Sequence, residues 1–594
     1  MSIRIPMAIL VLALSLPGAA AGAATGAKTP GGELARLCKE YWEGYLVAHP
    51  TEATAIGDRR YDDRLEDIRP AATLREQRRL EGVLARVRAI EPAKLLAADR
   101  VTHSALIEEV GGQLAELSCR FDEWVVDPLG GPQVEIMNLP DYTTIESPAD
   151  GARFVQRCRR MGRLIDDHVA NLRIGLAHHK VASVDEVRKA VDQLDALLAR
   201  PTEEWALMNP TRGDHWSWRL AERQRFHDNL KRAVFDGVRP ALVRYRDFLK
   251  NRLLPVARPA DKAGLSALPD GVECYRKMIR VRTSLDISPE ELHQLGLEQV
   301  AKFRHDLSEL GAKALGTSDV AEIQKKLRSD PAMHFATAEE IETKARETLA
   351  RAKAAVPKWF GIQPKADCQV KVMGMHEAPY STIAYYRNPA ADGSRPGYYM
   401  INAYEPETRP RYEAEALAFH ESIPGHHLQI AIAQELTGLP EFRKHQGVTA
   451  FVEGWGLYSE RLADEMGLYS SDIDRIGMLS YDAWRACRLV VDTGMHAMGW
   501  SRQRAIDYMV ENSVLAENNV VNEVDRYLTW PGQALAYKVG QLEILKLRDE
   551  AKRRLGERFD IKAFHDAVLR NGAVALPVLR EQVEEYLAQD EAAK

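Results

Sequence analysis

Along most of the chain, apolar positions recur every three or four residues, the spacing of a helix that buries one face. In "SPEELHQLGLEQVAKFRHDLSEL", Leu292, Leu295, Phe303, Leu307 and Leu310 fall on one stripe. Ser288 and Glu291 bracket Pro289 as a capping box, so the spacing predicts a long amphipathic helix starting there. Charged, Leu- and Ala-rich segments of the same kind occupy 33–47, 73–117, 150–200 and 218–253, and run from 410 to the end. No fixed-period repeat accompanies them, which argues against a solenoid. The expected fold is mainly α, a large helical bundle in two halves, 24–265 and 266–594, packed as one integrated domain.

One interval breaks the helical pattern. Between 368 and 406 the alternating runs "QVKVM" and "GYYMINAY", the latter carrying Tyr399, are separated by Pro and Gly turns. They predict a small β-sheet just before the most distinctive motif of the chain. A strand there offers backbone groups to an extended peptide, or serves as an edge hairpin covering the core.

The first residues have a different pattern. Arg4 precedes the apolar run "IPMAILVLALSL" and then a small-residue segment, which predicts an export signal over 1–23. The run is too short for a membrane span of roughly 18 to 20 residues. No cysteine sits near the cleavage region, so the mature chain is expected in the periplasm or outside the cell with no stable membrane insertion. Its 80 basic and 86 acidic residues are mixed along the chain, giving a net charge of -6, and no basic patch for nucleic acid stands out. The six cysteines form no C-x-x-C pair, which disfavours a cysteine-bound zinc.

The candidate chemistry lies in "AFHESIPGHHLQ", residues 418–429. A metallopeptidase helix of the HExxH type puts two imidazoles on one face, with the Glu beside the first acting on water. Here His420 and Glu421 begin that pattern, but Pro424 stands where the second histidine belongs, and His426 and His427 arrive later. On a regular helix His426 lies about 120° from His420 and His427 within about 20° of it, which favours His427. If Pro424 and Gly425 loop out, His426 takes the second place instead. Proline inside a helix costs roughly 3 kcal/mol, and a bound metal is one agent able to hold such a distortion.

A third ligand is expected from "FVEGWGLYSERLADEMG", where Glu453 and Glu460 are seven apart and share a face. Glu453 is the candidate ligand and Glu460 a partner that orients a histidine ring. Gly454 and Gly456 lie between them, each costing roughly 1 kcal/mol relative to Ala, as expected where a helix or a metal approaches closely.

The segments "HESIPGHHLQ", "FVEGWGLYSE", "RLVVDTGMHAMGWS" and "RYLTWPGQALAYKVGQLEILKLR", with "HPTEATAIGDRRYDDRLEDI" near the N-terminus, resemble the bacterial family known as domain of unknown function 885. The resemblance covers essentially the whole mature chain. Its HExxPGH pattern implies His420 and His426 as metal ligands, with His427 a neighbour. The family is in turn similar to mainly helical zinc peptidases, which implies one zinc ion, a deep groove between the two halves, and peptide-bond hydrolysis.

In "RLVVDTGMHAMGW", Arg488, Asp492 and His496 fall on one helix stripe, which suits His496 donating to an oxyanion with Asp492 orienting its ring. Around the Trp-Pro-Gly turn, Tyr527 is a second candidate oxyanion donor, and Arg526, Tyr537 and Lys538 are candidate substrate-binding groups, together with Arg488 and Tyr399. The leading expectation is an exported zinc hydrolase cleaving peptides or small amides, with Glu421 as general base. A non-peptide amidase or esterase on the same site, and an inactive peptide-binding protein, are the alternatives.

Overall fold

The computed structural model describes residues 29–374, 378, 382–389 and 395–592. The expected export segment, 1–23, lies outside the described residues. The fold is mainly α, with one small sheet. Among the described residues no helix is long and apolar enough to cross a membrane.

The helices that bear on the site are α1 (Pro30–Ala48), α2 (Pro70–Arg88), α3 (Ala97–Cys119), α4 (Pro148–Ala177), α5 (Gly271–Thr283) and α6 (Pro289–Ala314). After the sheet come α7 (Ala414–Glu421), α8 (His426–Glu435), α9 (Thr449–Glu465), α10 (Asp472–His496), α11 (Glu517–Thr529) and α12 (Ala536–Leu555). The predicted start of α6 is present: the Ser288 hydroxyl accepts from the Glu291 N–H, and the Glu291 carboxylate accepts from the Ser288 N–H. Its stripe buries Leu292, Phe303 and Leu307, with Leu295 and Leu310 half-buried, as α6 packs along α10.

Apolar burial is divided among several cores. The largest runs from Trp124 to Leu587 and includes Phe419, Leu428, Trp455 and Tyr458, so the metal-motif helices are anchored in it. A second core is confined to Val126–Leu253, around α4, and a third joins α1, α2 and α3 with Phe442. A cavity of about 1360 Å³ lies between α1, α2 and α3 on one side and the segments 280–284, 442–449 and 573–575 on the other.

The sheet falls inside the predicted interval: β1 (Cys368–Val372), β2 (Ala384–Arg387) and β3 (Gly397–Ile401), in the order β1-β3-β2. β3 pairs in parallel with β1, Val370 opposite Tyr399, and antiparallel with β2, Tyr386 opposite Tyr399. "GYYMI" is therefore the central strand, and among the described strands β1 and β2 are the outer ones. Cys119 at the end of α3 and Cys274 in α5 are joined in a disulfide, while Cys38, Cys158, Cys368 and Cys487 are free and buried.

Candidate metal centre

The motif does not form one bulged helix. α7 ends at Glu421, the Ile423–Pro424 peptide is cis, and α8 starts afresh at His426. Protein contacts hold this break. The Pro424 carbonyl accepts from Trp455 Nε1 at 2.9 Å and from Ser459 Oγ at 3.3 Å, both on α9, and the His427 N–H donates to Ser422 O at 3.0 Å. Buried groups of α9 therefore share in holding the distortion for which a bound metal was the expected agent. Gly425 is required by close approach: a Cβ there would stand 1.9 Å from the carbonyl oxygen of His420.

The break brings His426, and not His427, to face His420. Their rings stand nearly perpendicular, at 86° with centroids 4.6 Å apart. Glu453 Oε2 lies 3.6 Å from His420 Nε2 and 3.5 Å from His426 Nε2. Donor atoms of His420, Glu421 and His426 also fall within 4.8 Å of one another. Donors about 2.0–2.1 Å from a tetrahedral ion stand about 3.4 Å apart, so two imidazole nitrogens and a carboxylate oxygen fit zinc in both chemistry and spacing.

The electrostatics agree with a cation site. Burial opposes the charge on Glu453, but the two imidazoles outweigh it and hold the carboxyl well below its usual range. Burial likewise opposes charge on His420, yet Glu453 and Glu460 hold its pKa up to about 9. Glu460 Oε1 accepts from His420 Nδ1 at 2.8 Å, which leaves Nε2 directed toward Glu453. His426 Nδ1 has no partner among the described residues. The glycines of α9 divide the work expected of them. A Cβ at Gly456 would lie 2.7 Å from His420 Cε1, and one at Gly454 would lie 2.5 Å from Gly540 of α12.

A family model described as "Bacterial protein of unknown function (DUF885)" matches residues 50–583. The chain belongs to this family. Among solved structures, the DUF885 protein is similar to one titled "putative lipoprotein from Colwellia psychrerythraea", at 28% identity and a TM-score of 0.87, covering 94% of this chain and 100% of that one. A "putative lipoprotein of unknown function from Shewanella oneidensis" matches at 17% identity and a TM-score of 0.72, over 92% of this chain and 99% of that one. No curated protein matches.

Several residues expected at the site of this DUF885 protein are elsewhere. His427 Nε2 donates to Ala366 O at 3.1 Å and Nδ1 accepts from Tyr386 of β2 at 2.9 Å, so it ties the sheet to α8. His496 is fully buried; Nδ1 accepts from the Leu265 N–H and Nε2 donates to the Tyr527 carbonyl, and burial lowers its pKa to about 4. Its one N–H is committed to that carbonyl and is not free for an oxyanion. Asp492 does not touch that ring but accepts from Tyr275 Oη at 2.5 Å and from the Gly532 N–H at 3.2 Å. The expected Asp492–His496 pair is corrected on both counts.

Tyr527 is also occupied. Its hydroxyl accepts from Arg488 Nε and Trp484 Nε1 and donates to Glu523 at 2.8 Å. Arg526 is held by Glu523 and Gln533, and Lys538, 2% exposed, by Asp482 at 2.7 Å. Tyr527, Arg526 and Lys538 are internal ties among α10, α11 and α12 and not free substrate-binding groups, while Arg488 keeps Nη1 without a partner among the described residues. Tyr537 does reach the centre: its ring stacks on His420 at 6.4 Å, and burial, then the Glu453 charge, raises its pKa. Tyr399 in β3 is buried beside Glu421, whose charge adds to burial in pushing the phenol up. The group missed in the sequence is Arg485, whose guanidinium faces the Tyr481, Trp484 and Tyr537 rings.

Proposed function

We propose that this is an exported zinc hydrolase that cleaves amide bonds of peptides, with His420, His426 and Glu453 as ligands. The observation that carries the reading is the convergence of both imidazole Nε2 atoms on one Glu453 oxygen, at 3.5 and 3.6 Å, beside Glu421. A bound zinc ion supplies Lewis-acid polarisation of the carbonyl and lowers the pKa of water.

The chain's own groups do the rest. Glu421 is half-buried at the end of α7, beside both histidines, where it takes a proton from the attacking water and returns it to the leaving nitrogen. Tyr537, kept protonated by its raised pKa and bonded among the described residues by Gln533 at 3.5 Å, donates to the oxygen of the tetrahedral intermediate. Glu460 fixes the tautomer of His420. An exported location is supported by the N-terminal apolar run, by the Cys119–Cys274 disulfide and by the lipoprotein titles of two relatives.

The test is metal analysis and hydrolysis of a mixed peptide library by the purified mature protein. One equivalent of zinc with turnover is expected in the parent. Glu421→Gln should keep the zinc and lose turnover, while Glu453→Ala loses both. A parent without metal, or a fully active Glu421→Gln protein, would end the proposal.

A further inference from the structure

Every buried arginine of the described residues except Arg485 makes at least one short hydrogen bond or ion pair, although Arg157, Arg443, Arg488 and Arg548 each keep one nitrogen without a partner. Arg157 donates to Arg64 O, Thr54 Oγ1 and Tyr61 O at 2.7–2.9 Å, Arg258 donates to Val181 O at 2.7 Å and Ala263 O at 2.6 Å, and Arg548 pairs with Glu465. Arg485 is 5% exposed, yet its only hydrogen bond among the described residues is a 3.5 Å contact to Tyr481 O, and its Nε has no partner. No carboxylate of the described residues comes within 4.0 Å to pair with it. The nearest compensation is electrostatic and partial: burial raises the pKa of the Glu413 carboxyl to about 7 although Arg485 lowers it, and aromatic faces offset only part of the cost of a buried charge without a direct ion pair.

Those faces also fix where the charge sits. The guanidinium carbon lies 4.3 Å from the Trp484 ring, 4.6 Å from Tyr481 and 5.6 Å from Tyr537, the ring that stacks on His420. Arg488 covers the same Trp484 and Tyr537 rings at 4.4 and 4.5 Å, and its Nη1 is likewise buried without a partner. Arg488 and Arg526 share the single carboxylate of Glu523, so the wall made by Arg485, Arg488 and Arg526 carries excess positive charge.

We infer that Arg485, with Arg488 Nη1 beside it, receives the C-terminal carboxylate of the substrate, so that the enzyme cuts within a few residues of a free carboxyl end. A carboxylate supplies a direct ion-pair partner, its two oxygens match the planar fork of a guanidinium, and the Tyr537 ring contacts both that guanidinium and His420. An extended chain advances about 3.4 Å per residue, which sets the distance in residues rather than in domains. The assignment rests on the hydrolase reading above and specifies its substrate.

The experiment uses three peptides: a neutral peptide as the free acid, the same peptide as its C-terminal amide, and an amide whose last residue is Glu. The expected result is a kcat/KM at least about 10-fold higher for the acid than for the neutral amide, a ratio that matches one charge-assisted hydrogen bond. Arg485→Gln should abolish the preference through KM and leave hydrolysis of the neutral amide within about 3-fold of the parent, a change smaller than one such bond. Arg485→Lys, which keeps the charge, should restore part of it, and zinc content checks that each variant is folded. Equal rates on acid and amide in the parent, or equal losses on both in Arg485→Gln, would overturn the assignment. So would cleavage of the Glu-ended amide as fast as the acid, which would assign Arg485 to a side chain. If the parent cleaves none of the three, the hydrolase reading itself has failed. Calorimetric titration of Glu421→Gln protein with the same peptides then still decides: tighter binding of the acid upholds the carboxylate site, and equal affinity removes it.

Discussion

The indole Nε1 of Trp455 donates to the carbonyl oxygen of Pro424 at 2.9 Å, joining the middle of α9 to the break between the two histidine-bearing helices. Both partners are buried, so this bond sets where His426 stands relative to His420 and Glu453. Trp455→Phe removes the donor and keeps most of the packing. The expected outcome is a loss of about 1–3 kcal/mol of stability from the unpaired carbonyl, with zinc affinity lowered as well. Urea melts with and without chelator separate the two effects.

On the zinc reading, Glu460 acts through His420, whose Nδ1 it holds. Glu460→Gln keeps the shape but removes the charge that receives the Nδ1 proton, and zinc affinity should fall about 10–100-fold. Competition with a zinc-binding dye measures it. An unchanged dissociation constant would mean the pairing does not orient the ring.

Gly456→Ala places a methyl carbon 2.7–2.8 Å from His420 Cε1 and Nε2. The ring must turn away from Glu453, so bound zinc and turnover should both be lost. Gly82→Ala on α2 meets nothing within 4 Å and serves as the control, with stability equal to the parent or raised by about 0.5–1 kcal/mol.

Acid should destabilise the fold through histidines outside the metal centre. His496 and His565 are 0% exposed, and burial holds their pKa values down to about 4 and about 3. His565 Nδ1 donates to Trp359 O and Nε2 accepts from Tyr458, so the neutral ring is the one the fold needs. Unfolded histidines take up protons near 6.5, whereas these remain neutral when folded. The unfolded chain therefore binds more protons below that pH, and stability present above about 6.5 is lost as pH falls toward 4, at about 1.4 kcal/mol per pH unit for each residue. Thermal melts between pH 7.5 and 5 should show the decline, with a shallower slope in His565→Gln.

The Cys119–Cys274 disulfide closes a segment with a sequence separation of 155. Removing it in the Cys119→Ser, Cys274→Ser double variant should lower the unfolding free energy by about 2–5 kcal/mol. A urea midpoint unchanged by the double variant would show that the bond does not form in the purified protein.

Much of the architecture was legible in the sequence because it depends on local rules. The Ser288–Glu291 box, the stripe of α6 and the Pro- and Gly-punctuated strands near 368–406 are all written within a few residues of one another. The seven-residue spacing of Glu453 and Glu460 also puts both carboxylates beside His420. The errors came where a correct helical face met unknown neighbours. Asp492 and His496 do lie on α10, but they are met by Gly532 and Leu265, far away in the chain, and these decide what their polar atoms bond. Arg485 was missed because its significance is a shortage of partners, which periodicity does not encode; the cue available was a second arginine three residues before Arg488, directly after Trp484 and one helical turn from Tyr481.

Cys119 and Cys274 bind together α3 and α5, which are also joined by the Arg280–Glu108 and Arg282–Glu116 pairs and which both line the 1360 Å³ cavity. The ion pairs are partly exposed and yield to salt, but the covalent bond does not. Once oxidised, the bond ties these two cavity-lining helices together at one point, so the width of the cavity on that side depends on the redox state of the two cysteines. Reduction would release that tie and leave packing and the two ion pairs to hold the aperture.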